Sequence, residues 1–371
     1  MPTIDPSTMP GMPAPIWFIM FFKIIGFFLH LVPMGIWFAG IPLSVWLFAS
    51  KNQEGKRFAG RLMYHLPVIL AFGINFGIVP LLFTQVMFYK SFYTATILMA
   101  WFWLAVIPAA ILLYYGVYYC AFHVKRKNLT IPAAVLSVFV VYIALTFAAA
   151  MTRMANPEFY LGDIVSSNLD GVVAGFSLPH MHGTWLLRVL LTLSFGVMTL
   201  ASWMLVDAFF LFPQSDETVA YRNWARRCAS RLMIAGAAMV VVVGVLYAAL
   251  AWQADVSQVM LHGPGLMLSI ATLILPLGIP AYLVMAGRGE LSKFSVVVVA
   301  ALQCVSLLVY ASARQVVQNV EVSRWFDIFA IKESVQWSPL IAFLVTFVLG
   351  ALCVVWMFWV LAKNLQKPAS D

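Results

Sequence analysis

Charge is scarce in this 371-residue chain: Asp, Glu, Lys and Arg make up 10% of it, and the acids number 14. Against 63% hydrophobic residues, that scarcity excludes a water-soluble domain, whose surface would be too apolar to stay dissolved. Cysteine is also sparse. Cys120, Cys228, Cys304 and Cys353 lie in apolar runs or a basic connection, and none opens a Cys-x-x-Cys-His motif. A disulfide framework and a covalently attached haem c are therefore not expected. The opening residues MPTIDPSTMPGMPAP carry an acid and no base, unlike the positive start of a cleaved signal peptide, so the first apolar run is expected to be retained. No short-period repeat or low-complexity tract interrupts the chain.

What is present is a series of apolar runs, each long enough to cross a bilayer as a helix. They do not alternate residue by residue, as barrel strands would. The expected fold is all-α, a polytopic transmembrane bundle of about nine spans, near 16–49, 63–88, 93–122, 131–152, 180–212, 230–252, 263–286, 293–317 and 338–362. The longest connection, about 153–179, is too short for a soluble domain, so residues 1–371 form a single membrane domain.

Basic residues cluster in alternate connections: Lys51, Lys56, Arg57 and Arg61, then Lys125 to Lys127, then Arg222 to Arg231, then Arg288 and Lys293, then Lys363 and Lys367. These connections face the cytoplasm by the positive-inside bias, which puts the N-terminus outside and the C-terminus inside a bacterial cytoplasmic membrane. The bias accounts for the net charge of +8, and no nucleic-acid partner is needed to explain it.

The acids fall in connections or near span ends, with Asp207 and Asp255 nearest the core. Lacking a central carboxylate, the chain does not read as a proton-driven pump or cation transporter. Lys23, His30, Arg188 and Arg314 are the polar groups left inside. A buried arginine costs roughly 2.5–3.5 kcal/mol and normally has a partner. With no internal carboxylate in view, haem propionates would suit Arg188 and Arg314; snorkelling or a water-lined cavity is the alternative.

The six histidines divide by depth. His65 and His123 sit at cytoplasmic span ends and are expected at the interface. His30 lies deep in the first span, between Leu29 and Leu31. His180, His182 and His262 share the outer side, as antiparallel threading requires. Neutral imidazole is a standard haem ligand, whereas zinc wants three or four close ligands; a purely structural role stays open for each. On a helix, positions 180 and 182 point about 200° apart, so one haem can take only one of them. With Pro179 favouring a helix start, His182 is the more committed helical position. Prolines 33, 42, 67, 80, 108, 276 and 280 interrupt spans, as they do around cofactors and in transporters alike.

Several segments together resemble subunit I of the cytochrome bd quinol oxidases. His30 in Phe28-Leu-His-Leu-Val-Pro33 looks like that family's first-span haem ligand. Arg61 to Gly77, ending Phe72-Gly-Ile-Asn-Phe-Gly77, is similar to its second span, and Leu98-Met-Ala-Trp-Phe102 to its third. Asn156-Pro157 precedes His180 and His182 as in the family. Arg222 to Gly236 resembles its basic entry to span six, and Ala313-Arg-Gln315 resembles part of its motif at the outer end of span eight. The resemblance implies haem b, one or two per chain, with His30, His182, His262 and Met267 as candidate ligands. His180 is the unused neighbour, and Arg188, Arg314 and Gln315 lie near propionates. Quinol is a further implied ligand, and the implied partners are membrane lipid, a second membrane subunit, and a cytochrome c or multihaem cytochrome at the outer face.

The chain departs from the family at three carboxylate positions, where Thr96, Leu104 and Ala311 stand, and its outer loop 253–262 is short. Those carboxylates would deliver protons or bind haem during oxygen reduction. The expectation is accordingly an electron-transfer subunit of a bd-like respiratory complex that does not itself reduce oxygen. The alternatives are a true quinol:oxygen oxidoreductase and a cofactor-free scaffold or transporter.

Overall fold

The apolar runs become helices because nothing in a bilayer competes for their backbone groups, and polar residues fix where several of them begin. Asn52 accepts from Gly55 N–H (3.2 Å) at the start of α2 (Gln53–Met87), and Ser292 from Ser295 N–H (3.1 Å) at the start of α11 (Lys293–Ser323). The computed structural model describes residues 11–124, 128–156, 160–166, 168–169, 172–177, 184–213, 218–286, 291–325 and 327–365.

The other helices are α1 (Ile16–Ala49), α3 (Tyr89–Leu98), α4 (Ala100–His123), α5 (Thr130–Met154), α6 (Tyr160–Ser166), α7 (Thr184–Val206), α8 (Thr218–Ala251), α9 (Ala254–Met260), α10 (Gly263–Ala286) and α12 (Trp337–Leu365). A two-residue hairpin, β1 (Asn168–Leu169) with β2 (Val172–Val173), follows α6. Among the described residues nine helices are long and apolar enough to cross a membrane: α1, α2, α4, α5, α7, α8, α10, α11 and α12. The expected all-α, nine-span bundle is therefore present.

Three boundaries differ from the sequence reading. The run 93–122 is broken at Met99 into α3 and α4. The fifth span ends in a π-helical turn, Asp207–Leu211. The eighth continues past 317 to Ser323, because an amphipathic helix end packed in the bundle does not need an apolar sequence.

Helix α1 is central, packing on α2, α5, α7 and α11. Its contact with α7 is close: a Cβ on Gly196 would lie 3.4 Å from Gly35 Cα, so two glycines let the backbones meet as small residues do in membranes. Helix α12 lies at the edge. Phe343 packs on Phe18, Phe22 and Phe83, while most of the helix is exposed.

At the face where α1 begins, Met12 N–H donates to Lys332 C=O (2.9 Å), and Ser334 N–H returns a bond to Met12 C=O (2.7 Å). Residues 172–177 lie on the same face against α4, with Phe176 stacked on Trp101 at 5.7 Å. Gly175 takes a left-handed φ of 73° that lets its carbonyl accept from Trp101 N–H. Arg153 then holds Ser177 through its carbonyl (2.8 Å) and hydroxyl (3.0 Å). His180 and His182 follow directly and lie outside the described residues, as do Arg288, Lys125 to Lys127 and Lys367.

Candidate functional site

Helix α1 carries Lys23, Phe27 and His30 at a spacing that puts them on one stripe, and that stripe meets α11 and α2. Lys23 is 2% exposed. Its ammonium donates to Gln318 Oε1 (2.5 Å) and sits 4.5 Å over the Phe88 ring. One turn further in, Arg314 of α11 lies over Phe27 at 4.5 Å. Among the described residues neither cation has a carboxylate at ion-pair distance, which is costly inside an apolar bundle.

His30 lies about 21 Å along α1 from Ile16. Its Nδ1 is 2.7 Å from Gly73 C=O on α2. A carbonyl can only accept, so Nδ1 carries the hydrogen, and the neutral ring keeps its lone pair on Nε2. The ring fits because α2 has no side chain at Gly77, where a Cβ would fall 2.7 Å from Nδ1. Sequence analysis singled out the segment Phe72–Gly77 by resemblance; its steric role towards His30 emerges only when the two helices are side by side.

Nearer the face where α1 begins, Arg188 of α7 makes an ion pair with Glu321 of α11 and lies over the Tyr247 ring at 5.5 Å. This corrects the expectation that Arg188 lacks an internal carboxylate. Glu321 is 4% exposed, and it was assigned to a connection because the apolar run ends before it. Arg314 is within electrostatic reach of the same carboxylate, and of Tyr247 and Tyr310. Two cations thus flank Glu321, with Lys23 further along the seam. Among the described residues the buried donors Trp185 Nε1, Arg188 Nε and Trp252 Nε1 and the buried acceptor Glu321 Oε2 have no hydrogen-bond partner in this part of the bundle. Excess cations and unused donors suit an anionic group better than a cation.

The remaining sequence candidates separate. Gln315 is buried and donates to Asn319 Oδ1 (2.6 Å), so it braces α11 within the seam. His262 is exposed at the α9–α10 corner, bonded to its own helix at Gln258 C=O (3.0 Å), and Met267 is 76% exposed on α10. Neither lies in the seam with His30. Among the described residues no three of His, Cys, Asp and Glu gather as a metal cluster. Thr96, Leu104 and Ala311 bring no carboxylate: Thr96 bonds back to Phe92 C=O (3.0 Å), Leu104 is exposed and Ala311 is buried.

A second polar network lies towards the opposite face. Asp207, 1% exposed, accepts two hydrogen bonds from Arg61 Nε (3.1 and 2.9 Å), one from Arg61 Nη2 (2.7 Å) and one from Tyr221 (2.6 Å). His65 Nε2 is 3.9 Å away, and its ring meets Trp203 edge-on, so His65 is more than an interfacial group. The π-helical turn begins at Asp207 itself. Such turns re-aim side chains at functional positions. Asp207 does stand near a span end, yet like Glu321 it is buried and paired, since hydropathy registers the apolar neighbours in sequence but not the cation supplied by another helix.

At the first face, Arg324 clasps Asp255 (2.5 and 2.8 Å), tying α9 to the end of α11. Burial pushes the Asp255 carboxyl up, but the bonds from Arg324 and from Val256 N–H outweigh it and hold the group below its ordinary value of 3.8. A depressed value means that the stabilisation is complete above the ordinary value and is lost as pH falls through the depressed one. Because Asp255 is more than one-third exposed, the loss should stay below about 1 kcal/mol. Asp255→Asn should remove that part of the acid-side slope in thermal unfolding as pH falls below about 4, the ordinary carboxylate value. An unchanged slope would show that the clasp is energetically silent.

No protein-family model matches the chain, and no curated protein matches it.

Proposed function

We propose that this membrane protein is a haem-b-binding electron-transfer subunit of a bd-like respiratory complex, and that the seam between α1, α2 and α11 holds the haem. The observation that carries the reading is His30. Its Nδ1–H is committed to Gly73 C=O at 2.7 Å, which fixes the ring and leaves Nε2 as the ligating nitrogen. Lys23 and Arg314, which have no carboxylate at ion-pair distance among the described residues, would receive the propionates. Arg188 is occupied by Glu321 and would act as a neighbour rather than a direct partner. The haem would supply one-electron redox chemistry. The chain's part is to fix the imidazole, neutralise the carboxylates and keep the site dry.

In this reading quinol and a cytochrome c or multihaem cytochrome are the redox partners, with the N-terminal face outside and the basic face in the cytoplasm of a bacterial cell. The exposed length of α12 suits lipid or a second membrane subunit. Oxygen reduction is assigned no part, since Thr96, Leu104 and Ala311 supply no proton-carrying group.

A reduced-minus-oxidised visible spectrum of the purified chain, with a pyridine haemochrome assay, should give one or two b-type haems per chain. Monodisperse, folded protein with no b-type absorbance would refute the proposal.

A further inference from the structure

On the face opposite the α1 start, a groove of about 750 Å³ opens beside the first turns of α2. Lys56, Arg57, Arg61, Tyr64, His65 and Asn128 line it, and among the described residues no acid does. The acids stand behind the lining: Glu54 holds Arg57 at 2.9 Å, and Asp207 holds Arg61 at 2.7 Å. Among the described residues Lys56, Arg57 and Arg61 stand against Glu54 and Asp207, and Lys56 has no ion-pair partner. Arg61 is oriented towards Asp207 through Nε and Nη2, and Asn128 and Tyr64 add uncharged donors. The pocket is rich in donors and cations, the complement of a phosphodiester.

The apolar surroundings narrow the choice of anion. Phe48, Gly60, Val124 and Leu211 complete the lining. Along the same helices Tyr64 is 65%, Val68 61% and Phe122 77% exposed. A headgroup in the groove could therefore lay its acyl chains on apolar surface, which a soluble phosphate cannot use. Basic pockets between spans recognise anionic headgroups in this way. We propose that the groove holds the phosphate of an anionic phospholipid, with Lys56 as its unshared charge partner and Arg61 as a pre-oriented donor. The proposal does not depend on haem.

The test is native mass spectrometry of the full chain in detergent after addition of phosphatidylglycerol or phosphatidylcholine, alongside thermal stability in inorganic phosphate. One phosphatidylglycerol should be retained in preference to phosphatidylcholine. Lys56→Ala should weaken that retention about fivefold, as expected for one interfacial lysine, and Lys56→Arg should restore it. Lys56 is only partly buried, so size-exclusion behaviour should stay normal; should Lys56→Ala misfold, the comparison of Lys56→Arg with Lys56→Gln carries the test. Equal retention of the two lipids, or retention indifferent to removal of the Lys56 charge, would overturn the proposal. So would stabilisation by inorganic phosphate without lipid selectivity, which would make the ligand a soluble anion.

Discussion

Asp207→Ala should destabilise the folded protein by roughly 3–5 kcal/mol, the cost of removing one partner from a buried ion pair. The carboxylate is 1% exposed and joins three elements: Arg61 from α2, Tyr221 from α8 and the π-helical turn that carries it. Without it, the Arg61 guanidinium loses its three bonds to the carboxylate. The Tyr221 hydroxyl, on a fully buried ring stacked against Phe212 at 4.4 Å, loses its acceptor. Water reaches Arg61 from the groove but cannot easily replace the partner of Tyr221, because Tyr221 and Ala208 are closed to solvent. Asp207→Asn keeps an acceptor for Tyr221 but removes the charge facing Arg61, so it should fall between wild type and Asp207→Ala. Arg61→Leu combined with Asp207→Leu should recover part of the loss, since it leaves no isolated charge. Thermal unfolding in detergent can be followed with a thiol-reactive dye, because Cys120 is buried and all four cysteines are free. A loss below about 1 kcal/mol for Asp207→Ala would mean that the network is solvated and contributes only as a surface pair does.

His30→Ala should eliminate one b-type haem per chain under the proposed function, leaving none if the chain binds one. The substitution removes the Nε2 ligand and opens space between α1 and α2. Added imidazole should then enter that space and restore absorbance, an outcome that a merely structural histidine would not give. Gly77→Val is the complementary change on the facing helix. Even the first carbon of the new side chain would lie 2.7 Å from Nδ1, so the ring must leave Gly73 C=O, and haem content should drop with His30 still present. Folding of both variants is checked by size exclusion and thermal unfolding. Folded His30→Ala with unchanged haem stoichiometry and an unchanged spectrum would remove His30 from the ligand set while leaving haem binding elsewhere in the chain intact.

Much of the seam was legible from depth alone. Lys23, His30 and Arg314 are expensive in an apolar run, and the structure gathers them along one seam, Lys23 and His30 on α1 and Arg314 on α11. Glu321 was missed because α11 outlasts its apolar stretch, so a buried carboxylate carries the sequence signature of a connection. A signal existed in the polar spacing Gln315, Gln318, Asn319 and Glu321, which continues a helical face beyond 317. Asp207 was noticed near the core, yet nothing in its own neighbourhood announces Arg61, 146 residues earlier. Phe72-Gly-Ile-Asn-Phe-Gly77 was read as a segment worth noting, and its physical reason, room for an imidazole, belongs to another helix.

By itself the sequence determined that the chain is a nine-span helical membrane protein and that Lys23, His30, Arg188 and Arg314 are carried inside it. Hydropathy is a property of consecutive residues, and a bilayer forces each long apolar run to satisfy its backbone internally as a helix. Only the tertiary structure decided the pairings: Arg188 with Glu321, Arg61 with Asp207, and His30 with the gap at Gly73 and Gly77. Each of these depends on which helix faces which, and at what register. That is set by close packing of side-chain shapes, which local composition does not encode.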